Sequence, residues 1–246
     1  MDRMLYIGMS GAKETMLAHG MNSHNLANAN TTGFRQDLAQ FRSMPVFGPG
    51  HPSRAYSMSE RPGFNFSAGP LQSTNNPLDV AIQDEGWFVV ESLDGSQALT
   101  RAGNFRVTPE GFLVTGSGLR VVGNGGPITI PPAERISIGN DGTITIKPAG
   151  QGAAALAVID RLQLVNPDNA SLDKGRDGLF RLKNDEAFLQ DANVKVLSGM
   201  LESSNVNVIE AMVNVISLSR NYEMQAKVMA TAKETDEASM KLMALG

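Results

Sequence analysis

Residues 208–245 read VIEAMVNVISLSRNYEMQAKVMATAKETDEASMKLMAL, with neither Gly nor Pro before Gly246. Met212, Val215, Ser219, Tyr222, Ala226 and Met229 follow alternating steps of three and four, which puts them on one helix face. Ile209, Val213, Ile216 and Arg220 form a second row that widens the apolar surface. The spacing predicts a helix from Val208 to Leu245, roughly 55 Å long at the standard rise. Ser or Asn within Glu202-Ser203-Ser204-Asn205-Val206-Asn207 can cap its free N–H groups, and Glu210 lies near its positive end. Such a helix outreaches a small domain and takes most of its stability from packing, so its rows need partners.

The other end of the chain mirrors this pattern. Leu5, Met9, Ala12, Met16, His19, Ser23 and Leu26 share a face, and the spacing predicts a helix from Met4 to Leu26, about 30 Å long. It stops in Asn28-Ala29-Asn30-Thr31-Thr32-Gly33-Phe34, because Asn and Gly accept positive φ and short polar side chains bond nearby backbone. A short amphipathic continuation is expected through Leu38 and Phe41. Pro45, Pro49, Pro52, Pro62 and Pro70 then exclude continuous helix, and Tyr56, Phe64 and Phe66 suit an extended arm with aromatic anchors.

Between the helices the chain reads as β-strand and turn. Short apolar runs at Asp79–Ile82, Trp87–Val90, Phe105–Val107, Phe112–Val114 and Leu119–Val122 are bounded by Gly, Asn, Asp or Pro, as in an antiparallel sandwich or barrel. Ile136 to Ile146 is the clearest hairpin, with isoleucines alternating about an Asp141-Gly142 turn. Segments 157–165 and 178–182 complete the sheet. The fold class is α+β: long terminal helices and a central antiparallel β body.

The 246 residues are 41% hydrophobic and 19% charged, with net charge −4 and a pI near 5.4. That balance disfavours nucleic acid as a partner, since its phosphates call for a basic surface. No run of 18 or more apolar residues is present, which argues against a spanning helix, and Met4 to Met9 leads into Ser10 and Gly11 without forming a signal-peptide core. With no cysteine, the chain has no disulfide, thiolate ligand or cysteine nucleophile.

Catalytic chemistry finds little footing. His19 and His24 miss the four-residue step that aligns two metal ligands, and His51 is remote in sequence. Asp84 and Glu85 are adjacent, so they point apart on a strand or occupy a turn. Gly123-Asn124-Gly125-Gly126 lacks the Lys-Ser or Lys-Thr of a phosphate loop, and Asn140-Asp141-Gly142 lacks the further acids of a calcium loop. No Gly-x-Ser-x-Gly elbow occurs. The expectation is a protein that is not an enzyme, with no catalytic residue, cofactor or metal.

Three ordered stretches carry a resemblance. Asn25-Leu26-Ala27-Asn28-Ala29-Asn30-Thr31-Thr32-Gly33-Phe34 resembles the signature of bacterial flagellar rod, hook and hook-associated proteins. So does Glu202-Ser203-Ser204-Asn205-Val206-Asn207, followed by Glu210, Met212-Val213 and Arg220-Asn221-Tyr222-Glu223. In the middle, Asn76-Pro77-Leu78-Asp79-Val80-Ala81-Ile82, Gly86-Trp87-Phe88 and Thr100-Arg101-Ala102-Gly103-Asn104-Phe105 are similar to the same family's β domain. The short length, Met1-Asp2-Arg3-Met4-Leu5-Tyr6 and Asp177-Gly178-Leu179-Phe180-Arg181-Leu182 are most similar to its proximal rod members, with the distal rod type as runner-up.

The resemblance implies a noncatalytic subunit of the basal-body rod, which transmits torque and encloses an export channel. It implies periplasmic placement after type III export without a cleavable signal, with other rod proteins, further copies of the chain and the export machinery as partners. Residues 1–41 and 198–246 would form a helical tube domain, 42–75 a connecting arm and 76–197 the β domain. Contacts between subunits would fall on Leu5, Met9, Met16 and Leu26, on Asn28, Thr32, Gly33 and Phe34, and on Asn205, Val206 and Asn207. Along the last helix they would fall on Ile209, Met212, Val213, Ile216, Arg220, Tyr222 and Met229. A simple internal helix hairpin, an enzyme acting on the cell wall and a secreted adhesin stay open as alternatives.

Overall fold

A computed structural model describes residues 4–45, 55–148, 156–184 and 187–244. The expectations placed on Met1 to Arg3, Pro49, His51, Pro52 and Leu245 lie outside the described residues. The chain divides into two units, one of Met1–Ala29, Arg35–Asn65 and Val206–Gly246, the other of Asn30–Phe34 and Phe66–Asn205.

The first unit holds both helices, α1 (Met4–Ala27) and α2 (Val208–Ala244), within a residue or so of the extents that the apolar spacing predicts. They run antiparallel: Asn22 Nδ2 donates to the Ala211 carbonyl at 2.7 Å, and a Cβ at Gly8 would lie 2.9 Å from Met229 Cγ. A Cβ at Gly11 would lie 3.0 Å from the Gln225 amide. Small residues thus set the approach, since the distance between helix axes depends on side-chain size at the crossing. Among the described residues, the buried hydrophobic side chains of these helices are alanines, Ala12, Ala18, Ala211 and Ala232.

Strand Asp37–Pro45 pairs antiparallel with strand Ala55–Phe64 in the same unit. This corrects the reading of Leu38 and Phe41 as an amphipathic continuation, and residues 42–45 and 55–64 of the expected arm belong to this ladder. A two-stranded ribbon leaves outward N–H groups unpaired, so it tolerates proline. The register shifts between Leu38 and Gln40, which face Gly63 and Glu60, and Pro62 falls within that irregularity. Asn25 of α1 ties down the ribbon: its Oδ1 accepts from the Asp37 N–H at 2.9 Å and its Nδ2 donates to the Asp37 carbonyl at 2.8 Å.

The second unit is antiparallel β throughout its strand pairs. Its largest sheet runs Leu172–Lys174, Phe180–Leu182, Gln97–Thr100, Trp87–Glu91, Arg120–Gly123, Leu113–Val114 and Arg106–Val107 in spatial order. Different strands end it at each edge, so the sheet is open and the described residues form no closed barrel. Ala133–Ile138, Thr143–Pro148 and Ala157–Arg161 make a three-stranded sheet. Its first two strands are the expected hairpin, with Ile138 opposite Ile144 and Ile136 opposite Ile146. Gly142 takes φ +83° in the turn, and Asp141 accepts from the hydroxyl and N–H of Thr143. Phe88, Leu113, Ile128, Ile144, Ile146 and Leu162 fill the core between these sheets.

Two short pairs complete the unit: Val196–Ser198 on Val80–Ile82, and Met200–Glu202 on Leu71–Ser73. Both bring the end of the unit back to its beginning. Gly103 packs tightly here, since a Cβ on it would fall 1.7 Å from the Val80 carbonyl oxygen.

Candidate assembly surface and elbow

In the first unit the helices expose large apolar side chains. Ile209, Val213 and Ile216 of α2 are 76%, 59% and 55% exposed, and Arg220 in the same row is exposed too. Met212 and Tyr222 are also exposed, while Met229 is half-buried. On α1, Met9 and Met16 are exposed, whereas Leu5 and Leu26 are half-buried. Thr15, Met16, His19, Leu218, Ser219 and Tyr222 line a cleft of about 340 Å³ between the two helices. A continuous apolar row in water is the usual mark of an interaction surface.

The helix ends near this surface are capped by side chains singled out in the sequence. Asn28 closes α1, its Nδ2 donating to the His24 carbonyl at 2.9 Å. Asn207 opens α2, its Oδ1 accepting from the N–H groups of Ile209 and Glu210 at 3.1 and 3.3 Å, which satisfies two donors that the helix itself leaves unpaired. Val206 is buried just before the cap.

The second unit holds an elbow built from three distant segments. Gly33 takes φ +67° and its N–H donates to the Glu202 carbonyl at 2.8 Å. A Cβ there would lie 2.3 Å from the Arg101 carbonyl carbon, so backbone meets backbone at this point. Glu202 is 1% exposed and Arg101 5% exposed, with Glu202 Oε2 3.4 Å from Arg101. Glu202 Oε1 accepts the Gly69 N–H at 2.8 Å. Asn205 donates through its N–H to the Phe34 carbonyl and through Nδ2 to the Ser67 carbonyl at 2.9 Å. Thr32 is half-buried beside this turn, and Phe34 is buried with the Lys174 ammonium 4.1 Å from its ring centre.

Aromatic rings continue the elbow into the sheet. Phe66, Trp87 and Phe180 form a mutual cluster, Trp87 and Phe180 lying 4.7 Å apart and Phe66 5.7 Å from Phe180. Arg181, next to Phe180, binds the Asp177 carboxylate with two hydrogen bonds of 3.1 and 2.7 Å. Those bonds hold the Asp177 pKa below the usual carboxylate range, against partial burial that raises it. A depressed folded-state pKa contributes stability above the unfolded value of about 3.9, and that stability is lost as pH falls through the folded value. Asp177→Asn is therefore expected to lower the melting temperature at neutral pH, by a margin that shrinks as the pH falls below the ordinary carboxylate range and through the depressed folded value. Melting curves from pH 7 down to pH 2.5 check this, and a constant offset at every pH would refute it.

Among the described residues none of the catalytic candidates gathers into a site. Asp84 and Glu85 are exposed in a bend, where the Asp84 carbonyl accepts from Arg101 at 2.6 Å. His24 lies 3.0 Å from Asp37. Among the described residues no cluster of three His, Cys, Asp or Glu could hold a metal, and no helix is long and apolar enough to cross a membrane.

A family model described as the flagellar basal body rod FlgEFG protein C-terminal matches residues 197–242, and one described as the flagellar hook protein FlgE/F/G D1 domain matches residues 81–146. The chain is 38% identical over 251 residues to the flagellar basal-body rod protein FlgF of Salmonella typhimurium, covering all of both chains. The chain belongs to the flagellar basal-body rod protein family. It is 37% identical to FlgF of Escherichia coli, again over both whole chains. The flagellar basal-body rod protein FlgG of Bacillus subtilis is 33% identical over 95% of this chain and 96% of its own length.

The rod-family signatures acquire physical reasons in this fold. In Thr100-Arg101-Ala102-Gly103-Asn104-Phe105, Arg101 meets Glu202, Gly103 meets Val80, Asn104 bridges to Asp79 and Phe105 stacks edge-on against Phe88 at 5.1 Å. Sequence reasoning placed Glu202 in the elbow but missed its partners there, Arg101 and Gly69. The local signals, a charge at Arg101 and a glycine before proline at Gly69, do not name a partner.

Proposed function

We propose that this chain is a structural subunit of the bacterial flagellar basal-body rod, in its proximal segment, where its terminal helices pack with those of neighbouring subunits into a tube. The reading rests on one observation above the rest: Ile209, Val213 and Ile216 stay exposed along one face of α2 after α1 has taken its place. An internal helix hairpin leaves that row in water, and neighbouring rod subunits would remove it. The higher identity to FlgF than to FlgG of Bacillus subtilis supports the proximal assignment.

On this reading the subunit-facing residues are Leu5, Met9, Met16 and Leu26 of α1 and Ile209, Met212, Val213, Ile216, Arg220, Tyr222 and Met229 of α2. Asn28, Thr32, Gly33, Phe34, Asn205, Val206 and Asn207 shape the turns that present the helices. The tube domain comprises 1–41 and 198–246, with 42–75 connecting it to a β domain of 76–197. The subunit reaches the periplasm through the flagellar export channel without a cleavable signal, and its neighbours are other rod proteins and further copies of itself. Torque passes through many small van der Waals contacts that resist shear together. A cell-wall enzyme or an adhesin receives no support from the exposed bend at Asp84.

Because the chain has no cysteine, one introduced thiol reports on one position. An Ile216→Cys variant is expected to react fully with a maleimide as the free chain and to be protected in isolated basal bodies. Equal labelling in both would remove the packing role of this face.

A further inference from the structure

Six contacts converge on a few residues from distant parts of the β unit. Gly69 and Glu202 are 133 residues apart, yet the Glu202 carboxylate accepts the Gly69 N–H. Its backbone carbonyl accepts the Gly33 N–H, and its second carboxylate oxygen faces Arg101. The Ser203 N–H donates to the Pro70 carbonyl at 2.9 Å, and Asn205 reaches both Phe34 and Ser67. A Cβ on Gly69 would lie 2.0 Å from the Ser203 carbonyl oxygen, so these segments touch through bare backbone.

We infer that segments 30–34, 66–70 and 202–205 form one cooperative latch, docking and releasing together, with the buried Glu202 carboxylate as its keystone. A buried carboxylate is tolerated when it is paired and hydrogen-bonded, and losing one partner leaves a charge without compensation. States with one segment detached are therefore strongly disfavoured relative to fully closed or fully open. The receiving half is held independently of the latch: Arg101 donates to the Asp84 carbonyl, and its guanidinium carbon lies 5.7 Å from the Trp87 ring centre. The closing half comes from near the end of the chain, so the turn around Gly33 stays undocked until residues 200–205 arrive. This inference stands on the geometry of the β unit alone, whatever the chain assembles with.

Amide hydrogen exchange on the full chain, followed against low urea, tests the latch directly. The N–H groups of Gly33, Gly69, Ser203 and Asn205 are expected to share one opening equilibrium and one urea dependence, below those of the core amide Val89. Four different protections, or protection equal to that of Val89, would overturn it. In Glu202→Gln, whose amide oxygen can still accept the Gly69 N–H but which leaves the buried Arg101 without its countercharge, exchange at all four is expected to rise about tenfold or more, with Val89 unchanged. A rise confined to Gly69 would equally overturn it, and the parent chain decides the matter if the variant does not fold.

Discussion

Gly33→Ala is expected to open the elbow and to cost roughly 2–6 kcal/mol, combining about 1–3 for a left-handed backbone and about 1–3 for overpacking. The two contributions can be separated. Gly95 takes φ +81°, and a Cβ there would meet nothing within 4 Å, so Gly95→Ala carries only the backbone part. At Gly33 the added carbon would fall 2.3 Å from the Arg101 carbonyl carbon, and no rotamer change relieves a clash with main chain. Urea unfolding of the two variants beside the parent measures the difference. If Gly33→Ala proved no more destabilising than Gly95→Ala, the close approach of turn and strand end would be wrong. Against a domain stability of about 5–15 kcal/mol, the upper end of this range would leave the β unit close to unfolding.

A double substitution, Val213→Asp with Ile216→Asp, is expected to leave the free chain folded and to prevent its incorporation into the rod. Both side chains are more than half exposed, so replacing them changes the isolated fold by about 0.5 kcal/mol each, the usual range for surface positions, plus a modest helix-propensity cost. In an interface each would forfeit about 1.5–3 kcal/mol of apolar burial, with a buried charge added to that loss. The ratio of assembled to free subunit should then fall by more than about a hundredfold. Complementation of a strain lacking this subunit, with basal bodies isolated and probed for the variant, gives the readout. Normal motility with the doubly substituted chain would exclude this face of α2 from assembly.

The helices were legible because period and length are local properties: both were written in the spacing of Met9, Met16, Ile209 and Ile216. The spacing left open which side of each helix faces the other. Gly8, Gly11 and the buried alanines hold the helix seam, and larger residues of the same rows stay exposed. The isoleucine hairpin at 136–146 was equally plain, since its partner strand follows within a tight turn.

The ribbon of Asp37–Pro45 and Ala55–Phe64 was hidden by its prolines, which mark strand breaks in a wide sheet but are admitted at the edges of a two-stranded one. Strands Leu71–Ser73 and Met200–Glu202 were invisible for a different reason. Each is three residues long and is specified only by its distant partner. Gly33 and Phe34 stood out through turn chemistry and size, whereas Glu202 and Arg101 are made important by a meeting that local pattern does not record.

That strand pair also makes the β unit a cassette with a closed neck. Ser67 near the start of its long segment and Asn205 at the end are joined by a 2.9 Å hydrogen bond, with Leu71 paired to Glu202 just inside. An inserted body whose entry and exit share one point places little demand on its host, because its size and outline can change without moving either end. The neck is thus a natural boundary for exchange: chains of this kind can acquire larger, smaller or differently shaped bodies between residues 71 and 202 while keeping the same terminal helices.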